Sequence, residues 1–161
     1  VLTDKRAYVP EIPESVTEAI VVSPEVSKPH LTALSREFEQ RALRSGGGRL
    51  AVGFQQLSTF AESERTREVY ERLAAAGVDV TAHGVPDVTA DSFPVGVSPD
   101  EAGQYQEYWF MLYDGDGEPD RKAALVAREQ DEGSYEGYWS VDAAVVDELT
   151  GLAERQSIAP Y

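Results

Sequence analysis

LAVGFQQLSTFAESERTREVYERLAAAGVDVTAHG, running from Leu50 to Gly84, is the stretch whose reading decides the fold. LAVGF (Leu50 to Phe54) is a continuous apolar run, as a strand covered on both faces requires. From about Glu62 to Ala76 the residues Val69, Tyr70, Leu73 and Ala76 share one side of a helix, and Gly77 stops it. Val78 to Val85 reads as the next strand. A strand, helix, strand order with short connections predicts parallel pairing and a right-handed crossover. Phe54, Gln55, Gln56 and Phe60 fall where the first strand passes into a loop, the place where open α/β sheets present their binding residues.

Upstream, Ser27 is placed to cap a helix that tolerates Pro29 in its first turn and carries Leu31, Leu34, Phe38 and Ala42 at helical spacing. Arg36, Glu37, Gln40 and Arg41 read as its opposite face, and Gly46-Gly47-Gly48 as its end. These glycines do not make a phosphate loop, which follows a strand and opens a helix; this run follows a helix and opens a strand. With EAIVVS (Glu18 to Ser23) as a preceding strand, residues 18 to 85 read as two consecutive strand-helix-strand units.

Downstream the pattern changes. Pro86, Pro94 and Pro99 punctuate an irregular connection in which FPVGV reads as a short edge strand. EYWFMLYD (Glu107 to Asp114), KAALVARE (Lys122 to Glu129) and SYEGYWSV (Ser134 to Val141) follow, joined by DGDGEPD and QDEG, which signal hairpins and an antiparallel meander. Ser140 is placed to cap a last helix on Val141, Val145, Leu149 and Leu152. The expected architecture is a mixed α/β (α+β) fold: one central sheet, parallel in the first half and antiparallel in the second, with helices packed on it. Residues 1–17 read as a linker or N-terminal arm, 18–156 as a single domain and 157–161 as a second linker. Val1 in place of Met reads as a module cut from a longer chain, or equally as a processed or trimmed native start.

Charge narrows the partners. Against 14 Lys plus Arg stand 29 Asp plus Glu, a formal charge of −15, which repels nucleic-acid phosphates and anionic lipid. Only Lys5, Lys28 and Lys122 supply lysine, and this acidic balance points to a salt-adapted proteome. Without cysteine, disulfides, thiolate zinc sites and cysteine nucleophiles are excluded. No apolar run approaches the ~20 residues of a membrane span and no signal peptide opens the chain, so a cytoplasmic location is expected.

Catalytic constellations are weak. Asp114, Asp116, Gly117 and Asp120 lack the terminal glutamate and flanking helices of a calcium loop, and read as a solvated turn. Neither Ser35 nor Ser58 lies in a nucleophile elbow, and nothing places His30 or His83 beside them. Aromatic residues crowd the meander: Tyr105, Tyr108, Trp109, Phe110, Tyr113, Tyr135, Tyr138 and Trp139. They read either as ordinary core or as walls of a small-molecule pocket. The candidate ligand-binding set is Phe54, Gln55, Phe60, Tyr70, His83, Glu107, Trp109 and Trp139, with no catalytic or metal-binding residue and no identifiable cofactor.

SKPHLTALSREFEQ, AVGFQQLSTFAESERTREVYERLAAAGVDVTAHG, EYWFMLY, AALVARE and YWSVDAAVVDEL together resemble the DICT sensory domain, over about Ser27 to Leu152. GFQ (Gly53 to Gln55) with Phe60, Thr66, Tyr70, Leu73, Ala74, Val80 and Gly84 carries most of the resemblance. It implies a noncatalytic intracellular input module that regulates an attached or neighbouring effector, such as a histidine kinase, a cyclic-dinucleotide enzyme or a transcription regulator. Two other readings stay open: a docking scaffold that forms a homodimer and binds no ligand, and an enzyme of unassigned chemistry.

Overall fold

The structure, a computed structural model, describes residues 21–89, 93–101, 103 and 106–155, with the backbone alone at 21–23 and 152–155. The arm expected over 1–17, the first part of EAIVVS (18–20), Tyr105 and the tail over 157–161 lie outside the described residues.

In chain order the elements are β1 (Val21–Ser27), α1 (Lys28–Ser45), β2 (Arg49–Gln56), α2 (Leu57–Ala61), α3 (Glu64–Ala75), β3 (Asp79–Val85), β4 (Gly96–Pro99), β5 (Tyr108–Tyr113), β6 (Ala123–Asp131), β7 (Ser134–Ser140) and α4 (Ala143–Arg155). The strands make one seven-stranded sheet in the order β1-β7-β6-β5-β2-β3-β4. Pairs β2–β3 and β3–β4 are parallel; every other pair is antiparallel. The fold is thus the expected mixed one. The first unit differs from expectation, because β1 lies at the far edge beside β7, with β7, β6 and β5 between it and β2. An edge position also explains how β1 runs through Pro24, whose missing N–H would break a central ladder, and the register shifts there between Ser23 and Val26.

Local chemistry sets α1. The Ser27 hydroxyl accepts from the His30 amide at 3.3 Å, Pro29 sits in the first turn, and Gly46 closes the helix in the left-handed region at φ 70°. The glycines after it pack against the β5–β6 connection. Asp114 Oδ1 accepts from the Arg49 amide at 2.8 Å and from Asp116 at 2.9 Å, and a Cβ on Gly48 would stand 2.5 Å from that carboxylate oxygen. This connection, expected as a solvated hairpin turn, is two short 3-10 turns (Gly115–Gly117 and Pro119–Arg121) folded onto the end of α1. A carboxylate occupies the approach to the glycines, which agrees with rejecting a phosphate loop.

Two further boundaries differ. The expected loop after β2 contains α2, and α3 starts at Glu64, two residues later than expected, capped by Ser63, whose hydroxyl accepts from the Thr66 amide at 3.2 Å. The last helix is capped by Asp142, which accepts from the Ala144 and Val145 amides; the Ser140 hydroxyl accepts from Asp142 instead.

Side chains alternate across the sheet. Leu50, Val52, Phe54, Val80, Ala82, Met111, Leu125 and Ala127 form one core with Leu31, Phe38 and Ala42 of α1 and Val69, Tyr70 and Leu73 of α3. Ala51, Phe110, Leu112, Ala124 and Val126 form a second with Val145, Val146 and Leu149 of α4. Gly53 lies under Phe110: a Cβ there would sit 2.2 Å from the ring.

Candidate functional site

Where β2 ends, between α1, α3 and β5, the first core opens into a cavity of about 250 Å³. Its apolar wall is Val52, Phe54, Trp109, Met111 and Tyr70; its polar wall is Lys28, Thr32, Ser35, Arg36 and Glu39 of α1 with Thr59, Ser63 and Thr66. Phe54 is held edge-on against Phe60 (5.2 Å between centroids) and Tyr70 (5.7 Å), and Phe60 stacks on Phe93 at 4.8 Å.

The polar wall is organised by Arg36. Its guanidinium donates to Glu39 Oε1 at 2.7 Å and to Thr66 Oγ1 at 2.8 Å, tying α1 to α3. Glu39 is only 3 % exposed, and burial pushes its carboxyl above the usual range, opposed by the Tyr70 hydroxyl and by Arg36 and Arg65. The fully buried Tyr70 hydroxyl is raised well above its ordinary value, by burial first and by the Glu39 charge second. It faces Glu39 without a hydrogen bond of standard geometry. Ser35 Oγ, Tyr70 OH and Arg36 Nε are buried with no hydrogen-bond partner among the described residues.

Of the residues expected to bind, Phe54, Gln55, Tyr70 and Trp109 line this cavity. Phe60 stands behind Phe54 and Tyr70. Gln55 is fully engaged: its amide donates to Gln106 O at 3.1 Å and Glu129 Oε1 at 3.2 Å and accepts from Tyr135 at 3.1 Å. These bonds hold it in the left-handed region at φ 65°, uncommon for a side-chain-bearing residue. The Tyr135 hydroxyl is pushed up to about 12 by burial and the Glu129 charge. Trp139 is half-buried against the same core, 6.1 Å from the His30 ring. The structure places the other two elsewhere. Glu107 is exposed, in a shallow acidic depression with Glu129, Gln130, Asp131 and Glu132. His83 lies on the opposite face of the sheet, 5.6 Å from the Phe110 ring.

Ser35, Arg36, Glu39 and Thr66 are among the cavity residues outside the candidate binding set; Thr66 entered only through the resemblance and Ser35 only as a rejected nucleophile. Arg36, read as solvent-facing, turns inward with its side chain 23 % exposed. The available signal was polar residues on a buried stripe: Ser35 stands with Leu31, Phe38 and Ala42 at spacings of four and three, and Glu39 follows Ser35 by four. Among the described residues no three His, Asp or Glu side chains are grouped so as to hold a metal ion.

His83 carries a separate pH dependence. Burial, partly opposed by Asp100, pushes its imidazole from 6.5 down to about 4. Between those values the unfolded chain binds a proton that the folded protein refuses, so stability falls as pH drops through this window. The loss is expected to reach roughly 3 kcal/mol at the acid end. Urea titrations of wild type and His83→Gln from pH 7 to 4 check this; the variant should show a flatter profile, and parallel profiles would refute it.

The fold is thus a mixed α/β sheet with a partly open, mainly apolar cavity at the end of a parallel strand, the place where such sheets present their loops. Residues 14–130 match the family described as the sensory domain in diguanylate cyclases and two-component systems, and the chain belongs to this DICT family. No curated protein matches it. Among the described residues no helix is long and apolar enough to cross a membrane.

Proposed function

We propose that this sensory domain is a noncatalytic input module that binds a small molecule in the α1–β2–α3–β5 cavity and regulates an attached or neighbouring effector, such as a histidine kinase or a transcription regulator. The cavity itself is the supporting observation: the buried Ser35 hydroxyl and Arg36 Nε, with no hydrogen-bond partner among the described residues, line a space bounded on its other side by Phe54, Trp109 and Met111. A buried polar group without a partner is costly, and a bound molecule relieves that cost. Helix α1 is the natural transmitter. It supplies Lys28, Thr32, Ser35, Arg36 and Glu39 to the cavity, so a ligand that prefers one placement of α1 shifts the population toward it. We take the acidic surface as an adaptation to a salt-rich cytoplasm.

Thr59 is exposed at the rim, so Thr59→Trp narrows the mouth without touching the core. A metabolite library screened by thermal shift at high salt should contain a compound that stabilises wild type and leaves Thr59→Trp unmoved. A ligand at one hundred times its Kd adds about 2.7 kcal/mol, several degrees in Tm. Stabilisation that persists equally in Thr59→Trp would remove the cavity as the site.

A further inference from the structure

The cavity wall carries charges of both signs. Lys28 is exposed at the start of α1, where water screens it, whereas Arg36 and Glu39 meet inside and neutralise each other. An acid entering this space faces the Glu39 carboxylate, and an amine faces Arg36. A hydrocarbon would seal in the Ser35 hydroxyl and Arg36 Nε with nothing to bond to, at the full desolvation cost of each. What matches every group is an uncharged molecule that both donates and accepts along one edge. The opposite wall is apolar and carries two aromatic rings, being formed by Phe54, Trp109 and Met111. The volume of about 250 Å³ corresponds to roughly eight water volumes and suits a bicyclic ring.

Resting on the reading of this cavity as a ligand site, we infer that it takes an uncharged planar nitrogen heterocycle with a lactam edge, an N–H beside a C=O. The ring N–H donates to Glu39, the carbonyl accepts from the Ser35 or Tyr70 hydroxyl, and the ring plane lies against Phe54 and Trp109.

Four bicyclic probes of matched size separate the chemistries: 2-quinolone for the lactam, 2-naphthoate for the acid, 2-naphthylmethylamine for the amine and naphthalene for the hydrocarbon. In titration calorimetry at high salt, 2-quinolone should bind wild type at least about tenfold more tightly than the other three. Glu39→Gln, whose one remaining acceptor oxygen is drawn to the Arg36 guanidinium and whose N–H then faces the ligand, should weaken it by about tenfold or more, and Ser35→Ala more modestly. Near-UV circular dichroism checks that both variants keep the fold, and Ser35→Ala, which removes one hydroxyl, carries the test if Glu39→Gln does not. Thr59→Trp should abolish binding. If naphthoate, the amine or naphthalene binds best and Thr59→Trp abolishes it, the lactam is overturned while the cavity stands as a ligand site. If no probe binds wild type, the lactam inference is overturned; the library screen against Thr59→Trp then decides the ligand-site reading independently.

Discussion

Phe60→Ala is expected to lower the unfolding free energy by about 3–5 kcal/mol, the range for deleting a buried aromatic ring. Phe60 has 0 % exposure and sits among three other rings, with centroid distances of 5.2 Å to Phe54, 5.3 Å to Tyr70 and 4.8 Å to Phe93. Such pairs contribute roughly 0.5–1.5 kcal/mol each beyond area burial, so the loss should lie toward the upper end. The ring is carried by a five-residue helix, which has little stability of its own and depends on burying Leu57 and Phe60. The site should suffer as well, because Phe54 and Tyr70, two cavity walls, both rest edge-on against Phe60. Equilibrium urea unfolding measures the first effect, provided the m-value is unchanged. A loss below about 1.5 kcal/mol would show that the four rings do not pack as one unit.

The same helix shows what the sequence could and could not reveal. Helix α1 was legible because its determinants are local: a serine cap, a proline in the first turn, a stripe on Leu31, Phe38 and Ala42, and a glycine stop. The parallel β2–β3 pair was legible for a similar reason, an apolar run and a short crossover. LSTFA is too short for its periodicity to register, and its start is fixed from far away: the Ser58 amide donates to Asp87 at 2.9 Å. The edge position of β1 is likewise nonlocal, set by pairing Val21 with Trp139 and Val26 with Tyr135. For the site, strand parity was informative and went unused. Ala82 faces α3, so His83, one residue on, belongs to the other face. GFQ was read as the point where the strand gives way to a loop, whereas β2 runs on to Gln56 and passes directly into α2. That Gln55 spends its amide on three protein partners depends on residues 51, 74 and 80 positions away, which no local pattern encodes.

Arg36→Met is expected to cost about 3 kcal/mol at neutral pH, because removing one partner of a buried pair leaves the other charge uncompensated. Glu39, 3 % exposed, would keep its carboxyl with no cation bonded to it, and Thr66 Oγ1 would lose its donor. The deficit should shrink on acidification. Burial already raises Glu39 above 4.5 in the folded protein, and losing Arg36 raises it further. A carboxyl with a raised folded pKa adds stability that is complete below the unfolded value and lost as pH rises through the folded one. Urea titrations at pH 5 and pH 8 should therefore find the variant closer to wild type at pH 5; an equal deficit at both would show that Glu39 is not the source. Arg36→Met combined with Glu39→Leu should recover most of the loss, since apolar replacements of buried ion pairs are often neutral or stabilising. If it does, the pair is dispensable for folding. Its presence on the cavity wall then has its explanation in recognition, and the repaired double variant should be stable and unable to bind 2-quinolone.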